Sequence, residues 1–114
     1  MQIKDVPTII ASALMLASGV QATYVLALFQ DQECATPTDP PETSVWSGTC
    51  DSHTGGFSSF KVLHKWNSPK GTLNIYKAGQ CVSWSGYPDE TYFNPDLDKC
   101  HNMGWTANAV QLYG

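Results

Sequence analysis

The chain has 114 residues, 42% hydrophobic and 14% charged, with a formal net charge of −4. That length accommodates one small domain. Every basic residue is a lysine, so no arginine fork is present to grip phosphate, and the acidic balance disfavours a nucleic-acid partner.

Taken in chain order, residues 1–22 read as a secretory signal peptide. A short polar start with Lys4 leads into the small-and-apolar run Ile9–Val20, and Val20-Gln21-Ala22 places small residues where a signal peptidase cuts. The run is too short to span a membrane, and no second one follows, so membrane insertion is not expected. The mature part, residues 23–114, is expected to be one secreted domain. Its four cysteines, Cys34, Cys50, Cys81 and Cys100, form an even set in a short exported chain, which implies two disulfides. Counting alone leaves three pairings open. Zinc would need closely spaced cysteines, and these are far apart.

The mature chain also reads as two tandem units, about 23–66 and 71–114. Tyr24–Cys34 lines up with Gly71–Cys81, so that Leu26, Leu28 and Phe29 meet Leu73, Ile75 and Tyr76 ahead of each cysteine. Cys50–Leu63 lines up without gaps with Cys100–Tyr113, matching Phe60, Val62 and Leu63 to Val110, Leu112 and Tyr113. Tyr24–Phe29 and Leu73–Tyr76 are short and rich in strand formers. Ser59–Leu63 and Ala109–Tyr113 alternate as half-buried strands do. Thr43–Thr49 and Cys81–Trp84 are the candidate middle strands. Thr36–Glu42, Asn67–Gly71 and Tyr87–Glu90 carry the Pro and Gly of turns. No sustained helical period appears, and the fold class is all-β. Tyr24–Phe29 is the candidate edge strand, and Phe29, Phe60 and Tyr76 are the expected core rings.

A strand ending in an aromatic, a cysteine, a loop, a second cysteine and a closing strand resembles the fungal small secreted cysteine-containing proteins. Several of those are similar to βγ-crystallin domains. The resemblance implies a small disulfide-bonded sandwich of two Greek-key units. It also implies one bridge within each unit, Cys34 with Cys50 and Cys81 with Cys100. Calcium is not expected: Ser58-Ser59 fits half of the crystallin calcium motif, but Thr54-Gly55 and Gly104-Trp105 stand where its acidic half belongs. No cofactor is expected.

No catalytic signature is present: there is no nucleophile elbow and no metalloprotease helix. A ribonuclease would need a base, an acid and a cation at the phosphate, and arginine is missing. His53 and His101 read as exposed loop residues and His64 as a surface position. Asp89, Glu90, Asp96 and Asp98 read as carboxylates of solvated turns. The chain is therefore read as non-enzymatic.

Binding is the expected activity, because four Trp, five Tyr and four Phe exceed what a small core absorbs. Trp84 and Tyr87 lie in the polar loop Ser83–Tyr92, with Trp46 beside the Pro-rich segment and Trp66 beside Asn67. Such rings can anchor a protein contact or stack on a sugar, and Asp89 and Glu90 would accept sugar hydroxyls. The family resemblance favours an effector-like role on a host protein or cell-surface target. The alternative is a glycan- or cell-wall-binding, lectin-like module. A monomer is expected.

Overall fold

A computed structural model describes residues 22–67 and 69–113, the Thr54 side chain apart. The signal peptide expected over residues 1–22 lies, except for Ala22, outside the described residues. Ala22 is buried in the core, and its carbonyl accepts the Ser47 N–H at 2.9 Å.

Among the described residues there is no helix. Six strands follow in order: β1 (Thr23–Phe29), β2 (Pro37–Trp46), β3 (Cys50–Trp66), β4 (Thr72–Tyr76), β5 (Glu90–Phe93) and β6 (His101–Tyr113). They form one antiparallel sheet, ordered β2-β1-β3-β6-β4-β5. Strict alternation drives β1: Tyr24, Leu26 and Leu28 are fully buried, while Thr23, Val25, Ala27 and Phe29 face outward and are only half-covered. Side chains alternate across a strand, so one face is apolar by sequence alone. Leu73 and Ile75 of β4 and Val110 and Leu112 of β6 join β1, Phe60 and Val62 in a single core cluster. The two ends of the sheet therefore share one interior, as in a sandwich. Each fully buried aliphatic or aromatic side chain contributes about 1.5–3 kcal/mol.

Each half of the sheet is built alike. In the first, β1 lies between β2 and β3; in the second, β4 lies between β5 and β6. Leu26 pairs with Val62 and Leu28 with Phe60, and their counterparts Leu73 and Ile75 pair with Leu112 and Val110. Even the isolated bridges correspond: Ser47 meets Leu112, and Leu97 meets Val62. The halves are joined by β3 and β6, which pair at both ends but lose register between Ser52 and Ser59. Gly55, Gly56 and Gly104 adopt positive φ in that central stretch, where the two long strands bend from one half to the other.

The disulfides are Cys34–Cys100 and Cys50–Cys81, with Cα separations of 5.9 and 5.7 Å. This overturns the within-unit pairing implied by the resemblance, and the ladder gives the reason. Phe29, at the end of β1, pairs with Ser59, nine residues beyond Cys50 on the same strand. At about 3.3 Å per residue, Cys50 is carried roughly 30 Å from Cys34, far beyond disulfide reach. Because β3 and β6 run antiparallel, the start of each lies beside the end of the other half's leading strand. Each bridge therefore joins the first cysteine of one half to the second cysteine of the other, and the two bridges are equivalent to each other.

Three strand assignments also change. The Pro-rich segment expected as a turn is part of β2, an edge strand whose outer N–H positions need no partner, so Pro37, Pro40 and Pro41 are tolerated there. Cys81–Trp84 is not a strand; the middle strand of the second half is Glu90–Phe93. Tyr24–Phe29 is not an edge, since β1 is flanked on both sides. Phe60 and Tyr76 are buried, as expected of core rings, whereas Phe29 is half-buried on the outer face with the Lys61 ammonium 5.9 Å from its ring.

Candidate functional site: exposed aromatic rows and a stapled loop

The outer face of each half carries a cross-strand row. Thr23 pairs with Trp46 on one side and with Trp66 on the other. Thr72 pairs in the same way with Phe93 and Tyr113. Partners directly across a ladder project from the same face. All four rings are open to solvent: Trp46 is 47% exposed, Trp66 59%, Phe93 79% and Tyr113 52%. The rings of a row flank a threonine and sit two strand spacings apart, about 10 Å. His64, exposed as expected, lies two residues from Trp66, with ring centroids 6.3 Å apart. Rings held by main-chain ladders need little ordering when a flat ligand arrives.

A second aromatic feature is the connection between β4 and β5. Trp84 is wholly exposed, and Tyr87 is 75% exposed. The turn beneath them is closed on itself: Ser83 Oγ donates to the Tyr87 carbonyl, Tyr87 N–H donates to Ser85 Oγ at 3.3 Å, and Gly86 N–H to the Ser83 carbonyl at 3.2 Å. Gly86 takes a positive φ to make that turn. Asp89 has a structural task. Its Oδ2 accepts the Lys77 N–H at 2.8 Å, and its own N–H donates to the Ile75 carbonyl at 3.1 Å, which closes the base of the loop. Glu90 opens β5 opposite Ile75. Burial, and then the nearby Glu90 charge, raise the pKa of Tyr92, whose hydroxyl donates to the Asn102 carbonyl at 3.3 Å. Trp84, Tyr87, Asp89 and Glu90 thus share one loop and its exit, whereas Trp46 belongs to the row of the other half. Trp66 was singled out as a loop ring but ends a strand. Phe93 and Tyr113 were missed; their signal is an aromatic residue at a strand end on the parity opposite the core positions.

The histidines are rearranged relative to the sequence reading. His53 and His101 stand on β3 and β6, not in loops. His101 stacks on Phe60 at 5.1 Å and meets Tyr92 edge-on at 5.4 Å. His53 is only 6% exposed, with Phe57 edge-on at 6.0 Å. Burial raises the pKa of neighbouring Asp51, partly offset by the Thr43 hydroxyl that donates to it at 3.0 Å and by the His53 charge. Ser59 is buried and donates to the Asp31 carbonyl at 2.6 Å, so it serves the loop of residues 30–36. Among the described residues no three His, Cys, Asp or Glu side chains gather as a metal site, and no helix is long and apolar enough to cross a membrane.

These features define an all-β, doubly disulfide-bonded domain with two bonded halves and an unusually aromatic exterior. Its two bridges fit an oxidising environment such as the outside of the cell. No protein-family model, curated protein or solved structure matches the chain.

Proposed function

We propose that this is a secreted, non-enzymatic binding protein whose target is a cell-surface polysaccharide. The observation that carries the reading is the pair of aromatic–Thr–aromatic rows. Their ring spacing of about 10 Å matches the disaccharide repeat of an extended β-1,4-linked chain, so alternate sugars of one strand stack on successive rings. The neutral outer rows Trp46-Thr23-Trp66 and Phe93-Thr72-Tyr113 suit an uncharged polymer. The equal registers of the two halves support descent from a duplicated unit of the crystallin-like, Greek-key kind.

The test is co-sedimentation of the oxidised protein with insoluble cellulose, chitin and β-glucan. Saturable binding to at least one polymer is expected; it weakens in Trp46→Ala/Trp66→Ala and is lost when Phe93→Ala/Tyr113→Ala is added, while the fold is kept. Binding to none of them sinks the polysaccharide reading. A second reading, an effector acting on a host protein, is favoured by the stapled turn that displays Trp84 and Tyr87. Exposed aromatic pairs of that kind serve as anchors in protein interfaces. Under it, Trp84→Ala/Tyr87→Ala abolishes capture by host tissue and leaves polymer binding unchanged.

A further inference from the structure

The central bend of the long strands opens a cleft of about 450 Å³, away from both aromatic rows. Gln30, Thr38, Asp39, His53, Phe57 and Thr106 line it, together with the glycine backbone at positions 55 and 56. That volume falls within the range of small-ligand sites.

His53 is its most telling member. The residue is 94% covered, yet among the described residues the one sealed side-chain polar atom without a partner is the Tyr24 hydroxyl, so the His53 ring nitrogens are not orphaned in the core. The ring lines the cleft, where its nitrogens can bond what enters, water or a ligand. His53 and Gly55 also line a second, adjoining cavity of about 330 Å³ with Ser52, Gly79 and Asn108. The glycines keep the wall low. A Cβ on Gly56 would come within 2.5 Å of Thr106 Cγ2 and 3.0 Å of the Ala107 carbonyl oxygen, while at Gly55 it would meet nothing within 4 Å. A ligand can therefore approach the main chain directly at Gly55.

The lining selects the ligand class. No lysine lines the cleft, and its one carboxylate is Asp39, so nothing there favours an anion. Two of the polar groups are already positioned: Gln30 Nε2 donates to the Pro37 carbonyl at 3.1 Å, and Thr38 Oγ1 to the Pro40 carbonyl at 2.6 Å. That leaves acceptors on Gln30 and Asp39, the hydroxyls of Ser58 and Thr106, and a donor and an acceptor on His53. Groups that both donate and accept, close together, suit hydroxyls. We propose that this cleft binds a single neutral sugar ring, with His53 hydrogen-bonding its hydroxyls, as a site separate from the aromatic rows.

The test follows the His53 ring and the Gly55 and Gly56 amides by NMR. D-glucose, D-mannose and N-acetylglucosamine are titrated as probes, with phosphate and methylammonium as charged controls. It is run on the wild-type protein and on Trp46→Ala/Trp66→Ala, so that failure of the rows does not mask the cleft. Saturable shifts at His53 with at least one sugar, equal in both proteins, are expected. Thr106→Trp, an exposed change at the cleft mouth that spares the core, weakens binding about tenfold or more, or about 1.4 kcal/mol. His53→Ala abolishes it. No sugar-induced shift at His53 overturns the proposal. So does a stronger response to phosphate or methylammonium, or sugar binding that Thr106→Trp leaves intact.

Discussion

In the first half of the molecule the leading and middle strands are joined by residues 30–36, a short loop that Asp31 closes by accepting the N–H groups of Ala35 and Thr36 at about 3 Å. Those bonds hold the Asp31 carboxyl below its ordinary pKa. In the second half the same connection runs through residues 77–89 and lifts Trp84 and Tyr87 into solvent. The ladders on either side of these loops nonetheless keep equal registers. Leu26–Val62 answers Leu73–Leu112, and the two disulfides answer each other, each joining the first cysteine of one half to the second of the other. The difference separates two jobs. Residues that recur in both halves build the sheet, while Trp84, the long loop that carries it and His53 have no counterpart in the other half. The aromatic rows stand between these classes, present in both halves but made of Trp and Trp in one and of Phe and Tyr in the other.

The sharpest way to break the likeness is to open its bridges one at a time. Cys34→Ser/Cys100→Ser and Cys50→Ser/Cys81→Ser release loops with sequence separations of 66 and 31. In the chain-entropy picture each loss costs about 4 kcal/mol, slightly more for the longer loop. Urea unfolding of the two variants is expected to give nearly equal midpoints, and a large disparity would mean that the halves do not share the load.

Gly71→Ala is expected to follow in size. Its Cβ would stand 2.7 Å from the Tyr24 hydroxyl and 2.9 Å from Leu112 Cδ1, where the first strand of one half meets the last of the other. Overpacking of this kind costs about 1–3 kcal/mol. Gly79→Ala, with nothing within 4 Å, is expected to cost less than about 0.5 kcal/mol. Equal melting temperatures for the two would show that Gly71 is not at a tight junction.

A smaller effect concerns charge. Because burial raises the Asp51 pKa, the folded protein holds a proton more readily than the unfolded chain does, and stability falls as pH rises through the folded pKa. Asp51→Asn keeps an acceptor for Thr43 and removes that loss. A modest gain in Tm is expected at pH 7 and none at pH 3, where both states are protonated. A gain that is larger in acid would contradict the sign.

Much of this sheet was legible in the chain because strand alternation and tandem likeness are local properties. Leu26, Leu28, Leu73 and Ile75 align in the sequence and occupy equivalent ladder positions. The pairing of cysteines was not legible, since it depends on how far β3 carries Cys50 from the end of β1, and strand length is a property of the folded sheet. The prolines of β2 misled for a related reason: edge or interior is decided by neighbours, not by the segment itself. At the surface, Trp84 and Tyr87 stand exposed because they lie in a polar turn, as their surroundings indicated. The rows escaped notice because Trp46, Thr23 and Trp66 are distant in sequence and meet only through register. His53 was hidden likewise, for its burial comes from the central bend rather than from its neighbours in the chain.

The proposed binding through paired rings makes one measurement decisive: affinity for soluble β-1,4-linked oligosaccharides as a function of length, followed by tryptophan fluorescence. Two rings one disaccharide apart predict weak binding of the disaccharide and a step in affinity once the chain reaches both rings, a step of about tenfold that disappears when the rings of both rows, Trp46, Trp66, Phe93 and Tyr113, are replaced by Ala. A disaccharide that binds as tightly as a hexasaccharide, or a length dependence that survives the loss of both rows, would contradict the platform.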